Sequence, residues 1–207
     1  MRTSTLSSML WAPSSILFTP YCFSRSKTGG SIASGLVEIR IPEKSPRFTK
    51  GYVHRPLAFY ATFFTVRAKA FDAEYCCAGI DAVKRKIREI ENNKDATAVE
   101  QNLMVTLEVC YEFYLRGFHF DTINIYESQA TAFKITDNGL LPPFISVRGL
   151  GETAAQDTVE KRKGKTFISV EEFSTCCSKL SKTHIEQLKA LGAFAGMADT
   201  SQITLFG

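Results

Sequence analysis

A chain of 207 residues with 44% hydrophobic and 22% charged side chains has the make-up of a soluble protein with a real core. No stretch approaches the ~18 consecutive apolar residues of a membrane span, so no membrane association is expected. The net charge of +4 hides a split: residues 1–50 carry seven Lys/Arg against two Asp/Glu, residues 51–207 eighteen against nineteen, so bulk charge gives no argument for nucleic acid.

Residues 1–51 are rich in Ser, Thr, Gly and Pro, nearly free of acids and without sustained periodicity. The Arg/Ser bias is that of an organellar transit peptide, but no amphipathic Arg helix can be drawn through it; a disordered tail or a reading-frame artefact is the alternative.

Order begins near Pro56, which suits the first turn of a helix running through Arg67 with Phe59, Tyr60, Phe63 and Phe64 on one side. Asp72 is an N-cap for a second helix through about Glu91, in which Ala73, Cys76, Ile80, Val83, Ile87 and Ile90 make one continuous apolar face. Lys84, Arg85, Lys86 and Arg88 fall mostly off that face and read as solvated, with DNA contact as the alternative. Thr97 and Glu100 have the spacing of a capping box opening a third helix, striped by Leu103, Leu107, Cys110 and Tyr114 and ended by Gly117. The short polar connection between these helices predicts antiparallel packing.

The period then changes. Ile123 with Ile125, and Ala132, Phe133 with Ile135, predict two short strands, and Asp137-Asn138-Gly139 a turn. The expected class is therefore mainly α with a small β element (α+β).

The six cysteines, at 22, 76, 77, 110, 176 and 177, show neither a disulfide framework nor a metal-ligand spacing. Buried free thiols of a reducing, cytoplasmic compartment fit them best.

Residues 144–163 carry the first functional pattern. An apolar segment ending in Val147, a Gly149-Leu150-Gly151 turn and a new helix containing Ala154, Ala155 and Val159 compose a helix-hairpin-helix. Paired glycines permit a tight turn and bring backbone close to a phosphate. The amides of Gly149, Gly151, Glu152 and Thr153 lie around a helix start, where unpaired N–H groups favour an anion. Arg148 and the run Lys161, Arg162, Lys163 would add neighbouring phosphate contacts, blind to base sequence. Glu152 departs from this logic, since its charge stands beside the proposed phosphate. Val170–Cys177 and Ser181–Leu191 read as a degenerate second hairpin joined at Lys179-Leu180.

The last residues carry the second pattern. Gln202-Ile203-Thr204-Leu205-Phe206, after the small polar stretch 196–200, has the form of the short peptide by which bacterial DNA-handling proteins grip the sliding clamp (the β subunit). Leu205 and Phe206 would fill an apolar pocket, each anchor worth about 2 kcal/mol, while Gln202 bonds at its rim.

Taken together, Val53–Ala68, Asn138-Gly-Leu-Leu-Pro-Pro-Phe144, Gly149-Leu-Gly151, Leu180-Ser-Lys-Thr183 and Gln202–Phe206 resemble the C-terminal end of the PolC-type alpha subunit of bacterial DNA polymerase III, a C-family polymerase. The likeness covers about Tyr52 to Gly207. It implies a distal fingers-like helical region at 52–137, a tandem helix-hairpin-helix region gripping duplex DNA at 138–195, and a tail at 196–207 bearing the clamp peptide. It also implies replisome partners and, for the parent enzyme, Mg²⁺.

The family's palm holds that metal with an Asp-x-Asp motif, and none stands here; Asp72, Asp81, Asp121, Asp137 and Asp157 are scattered singly. His54, His119 and His184 have no partners at ligand or triad spacing. The expectation is a C-terminal piece of a replicative polymerase without cofactor or catalysis of its own, truncated or frame-disrupted near Lys50. A stand-alone DNA-binding adaptor that recruits the clamp is the alternative; a helical protein whose Gly-Leu-Gly turn and Leu-Phe end are structural is a third.

Overall fold

The computed structural model describes residues 54–137 and 139–200. The expectations for residues 1–51 and for the peptide 202–206 lie outside the described residues.

Helix α1 (Pro56–Val66) starts on Pro56 and buries Tyr60, Ala61 and Phe64. Phe64 is fully buried and sits at the centre of an aromatic cluster. Its ring centroid lies 5.2–5.9 Å from those of Phe71, Phe113, Phe120 and Phe133, and the contacts with Phe71, Phe113 and Phe120 are edge-on. Tyr60 adds a polar tie, donating from its hydroxyl to Glu112 Oε1 at 2.6 Å and accepting from Arg116 at 3.0 Å. Of the four rings expected on one side of α1, Tyr60 and Phe64 are core, while Phe59 and Phe63 are only partly buried.

A 3-10 turn (Ala68–Ala70) leads to α2 (Ala73–Cys76), capped by Asp72, and then to α3 (Ile80–Asn92). Here the single helix expected over 72–91 is broken. Two causes are visible. The Tyr114 hydroxyl donates to the Cys76 carbonyl at 2.8 Å, occupying the acceptor that Ile80 N–H would use in a continuous helix. Gly79, with φ 93°, then turns the chain through a conformation closed to most residues.

The predicted capping box opens α4 (Ala98–Leu115): Glu100 N–H donates to Thr97 Oγ1 and Thr97 N–H to Glu100 Oε2. After the connection at 93–97, α4 packs back along α3. Its Leu107, Cys110 and Phe113 are fully buried.

The β element is a three-stranded sheet in the order β1-β3-β2, formed by β1 (His119–Phe120), β2 (Lys134–Ile135) and β3 (Gly139–Leu141). Strand β3 pairs parallel with β1, His119 opposite Gly139, and antiparallel with β2, Ile135 opposite Leu140. A Cβ on Gly139 would stand 2.4 Å from the His119 carbonyl oxygen, so only glycine fits this register.

The predicted strand at 123–125 is absent. Ile123 and Ile125 are buried, which produced the alternating pattern, but the backbone is occupied locally. Asn124 Oδ1 accepts from Tyr126 and Glu127 N–H, Asn124 N–H donates to Ser128 Oγ, and the Ile125 carbonyl accepts from Arg162. An Asx turn of this kind removes the amides a ladder needs.

The remaining chain is a 3-10 turn (Phe144–Ser146), α5 (Glu152–Lys161), α6 (Val170–Cys176) and α7 (Lys182–Ala190). The leading helix of the first hairpin is reduced to that one turn. Pro142 and Pro143 precede it, and the amides of Phe144 and Ile145 donate to the Gln129 and Ala130 carbonyls rather than along a helix. The architecture is predominantly helical with one small sheet.

Candidate nucleic-acid interface

The Gly149-Leu150-Gly151 turn is closed by Leu150 N–H donating to the Val147 carbonyl at 3.1 Å. Val147 and Leu150 are buried, locking the turn onto the core. Gly149 takes φ 77°, the left-handed region. Gly151, at φ −74° and ψ 155°, is the N-cap of α5 and offers no side chain to its amides.

That absence is specific to α5 within the last three helices. The α6 start is capped by Ser169 and the α7 start by Ser181, while Gly151, Glu152 and Thr153 are exposed with the first-turn amides uncapped. An uncapped, exposed helix start beside a left-handed glycine has the electrostatics of an anion seat.

The charged residues expected around this turn have divided roles. Arg148 donates from Nε and one terminal nitrogen to Asp72 Oδ2 at 2.9 and 2.7 Å, approaches Glu74 at 3.4 Å and lies 5.2 Å from the Tyr75 ring centre. Tyr75 first, and then Asp72, hold its pKa above the ordinary value. Arg162 is turned inward: its guanidinium donates to the carbonyls of Ile125 (2.6 Å) and Ser128, over the Phe144 ring, and burial lowers its pKa. Both arginines hold protein together in this state.

Lys161 pairs with Asp157 at 3.0 Å and reaches Ser178 Oγ at 3.2 Å. Lys163 is exposed. Glu152, the awkward charge, pairs with Lys69 at 3.4 Å, from the 3-10 turn after α1. Nothing in the linear sequence pointed to Lys69; it reaches the hairpin only through the fold. The cation offsets the carboxylate at the α5 start.

The second hairpin repeats the first in outline. Leu180 N–H donates to the Cys177 carbonyl at 2.9 Å, as Leu150 does to Val147, and Cys177 and Leu180 are buried. Burial pushes the Cys177 thiol up to about 11. At its helix start a capping box joins Ser181 and His184. Lys179 reaches back to Asp157 on α5 at 3.0 Å, so one carboxylate ties the two hairpins. The chain beyond α7 returns to α6: Val170 and Glu171 N–H donate to the carbonyls of Ala198 and Asp199, and Lys189 pairs with Asp199.

The cysteines at 76, 77, 110, 176 and 177 are free thiols, three of them buried. Among the described residues no helix is long and apolar enough to cross a membrane.

Residues 117–203 match the family model of the helix-hairpin-helix motif. The chain is similar to the "DNA polymerase III PolC-type" of Caldanaerobacter subterraneus, 43% identical over 155 residues, which is 74% of this chain and 11% of that protein. It is similar also to the proteins of that name from Clostridium perfringens, 42% identical over 75% of this chain and 11% of the relative, and Lactococcus lactis, 43% over 74% and 9%. The chain thus spans about a tenth of the length of the curated relatives it matches.

Proposed function

This chain is homologous to one region of PolC-type DNA polymerase III over about three quarters of its own length, and on that premise we propose that it holds duplex DNA by the backbone for a replicative polymerase. The observation carrying this reading is the exposed, uncapped α5 start behind Gly149-Leu150-Gly151, inside a helix-hairpin-helix match. The amides of Gly151, Glu152 and Thr153 donate to a phosphate oxygen; Lys161 and Lys163 add charge along the strand. Arg148 and Arg162 hold the turn in place rather than contacting DNA.

One seat is weak, because a helix-end dipole contributes only about 0.3–1 kcal/mol per charge. Useful affinity therefore needs further contacts or a second anchor. We assign that anchor to residues 202–206, with Leu205 and Phe206 entering the sliding clamp. In this reading residues 52–137 are a distal fingers-like region, 138–195 the tandem hairpins and 196–207 the tail, working in the cytoplasm beside other replisome subunits. Nucleotide transfer and its Mg²⁺ belong to the parent enzyme's palm, and this chain alone transfers no nucleotide.

Duplex affinity measured against salt tests the hairpin. The logarithm of the association constant is expected to fall with the logarithm of salt by about 0.9 per phosphate neutralised. No binding at low salt, or binding indifferent to salt, removes the proposal.

A further inference from the structure

Resting on that duplex-binding reading, we infer that His184, from the second hairpin, supplies a side-chain donor to the phosphate seat of the first. The argument begins with the cap. Ser181 N–H donates to His184 Nδ1 at 3.3 Å, and His184 N–H donates to Ser181 Oγ at 3.3 Å. A ring nitrogen that accepts carries no proton, so the proton of the neutral imidazole is on Nε2. The capping box therefore fixes the tautomer.

The fold then decides where that proton goes. His184 Nε2 lies 3.7 Å from the place a Cβ on Gly149 would occupy, directly beside the left-handed glycine of the first hairpin. Among the described residues no acceptor takes the Nε2 proton, and the side chain is half-buried. A donor thus stands beside Gly149, at the start of the Gly149-Leu150-Gly151 turn, on an element that is not part of it.

The residue type supports the same conclusion. The usual third partner of a serine capping box is Glu or Gln. A glutamate at 184 would cap equally well but would add a carboxylate beside Gly149, close to a turn that already bears Glu152. Histidine keeps the cap and replaces that negative charge with an N–H. A phosphate seated on the α5 amides would then be held from both hairpins at once, which ties their spacing to the strand they follow.

The test uses the full chain with a short DNA duplex. His184→Ala removes the ring, and with it the donor and one half of the cap; Ser181→Ala breaks the other half of the same cap and leaves the ring in place, and neither changes the charge. Duplex affinity is expected to fall about tenfold further for His184→Ala than for Ser181→Ala, the loss of one hydrogen bond to a charged group. Equal losses would overturn the inference. Independently, nitrogen-15 NMR of the unsubstituted chain should show His184 protonated on Nε2, with that resonance moving as duplex is added. A proton on Nδ1, or an Nε2 signal indifferent to saturating duplex, also overturns it. If the unsubstituted chain binds no duplex, this inference and the reading beneath it both fail; if it binds and His184 is silent, only the inference does.

Discussion

The two glycines of the first hairpin do different work. Gly149 needs its left-handed φ of 77°, while a Cβ there would make only ordinary contact with His184. Gly149→Ala is therefore expected to cost about 1–2 kcal/mol from backbone strain alone, seen in the denaturant midpoint. Gly151 has an ordinary φ of −74° and open space around its missing Cβ. Gly151→Ala should change stability by less than about 1 kcal/mol. If the proposed seat is right, duplex affinity should nonetheless drop, because the methyl would stand in the open space through which the phosphate approaches. Arg148 gives a contrasting case: held by Asp72, Glu74 and Tyr75, it joins the hairpin to the segment after α1. Arg148→Ala is expected to destabilise the fold by about 1 kcal/mol and to leave the salt slope of duplex binding unchanged. Its role could not be read from sequence, since the acids that claim it lie 74 and 76 residues away; nor could that of Arg162, whose acceptors are main-chain carbonyls of a loop misread as a strand.

Elements were legible where the code is local. The Thr97–Glu100 box, the Pro56 start and the positive-φ Gly117 each depend on residues within one turn, and each stands in the structure. The break at Cys77–Gly79 was missed because a hydroxyl from Tyr114, on another helix, takes the carbonyl concerned. The strand expected at 123–125 does not form, because burial of Ile123 and Ile125 alternates there for reasons of loop packing. Between elements, Asp157 on α5 is the joint to test. Its carboxyl is held below the ordinary carboxylate range by Lys161 first and Lys179 second. A folded-state value below the unfolded one means that this stabilisation is complete above the ordinary carboxylate pKa of about 4 and is lost as pH falls toward the lower folded value. Thermal unfolding followed through that acid range should show a fall that Asp157→Asn partly flattens. An identical pH profile in the variant would remove the joint.

At the scale of the molecule, the hairpin and the tail are separable by experiment. Leu205→Ala with Phe206→Ala is expected to abolish capture by a bacterial sliding clamp while duplex affinity stays unchanged; retained capture would dismiss the docking role. The hairpin motif itself was legible, because glycine spacing and apolar flanks are local signals. The surroundings of the turn were not, since Lys69, which pairs with Glu152, and His184, which lies beside Gly149, arrive from elements far from it in sequence. One further consequence follows from the way Ala198 and Asp199 are stitched to the start of α6, with Lys189 clasping Asp199. The stitch sets where the tail departs. Five residues beyond Thr200 reach at most about 18 Å even when drawn straight. If a ring grips Leu205 as proposed, it would ride close against the hairpins, on a leash too short to let it drift from a strand held there.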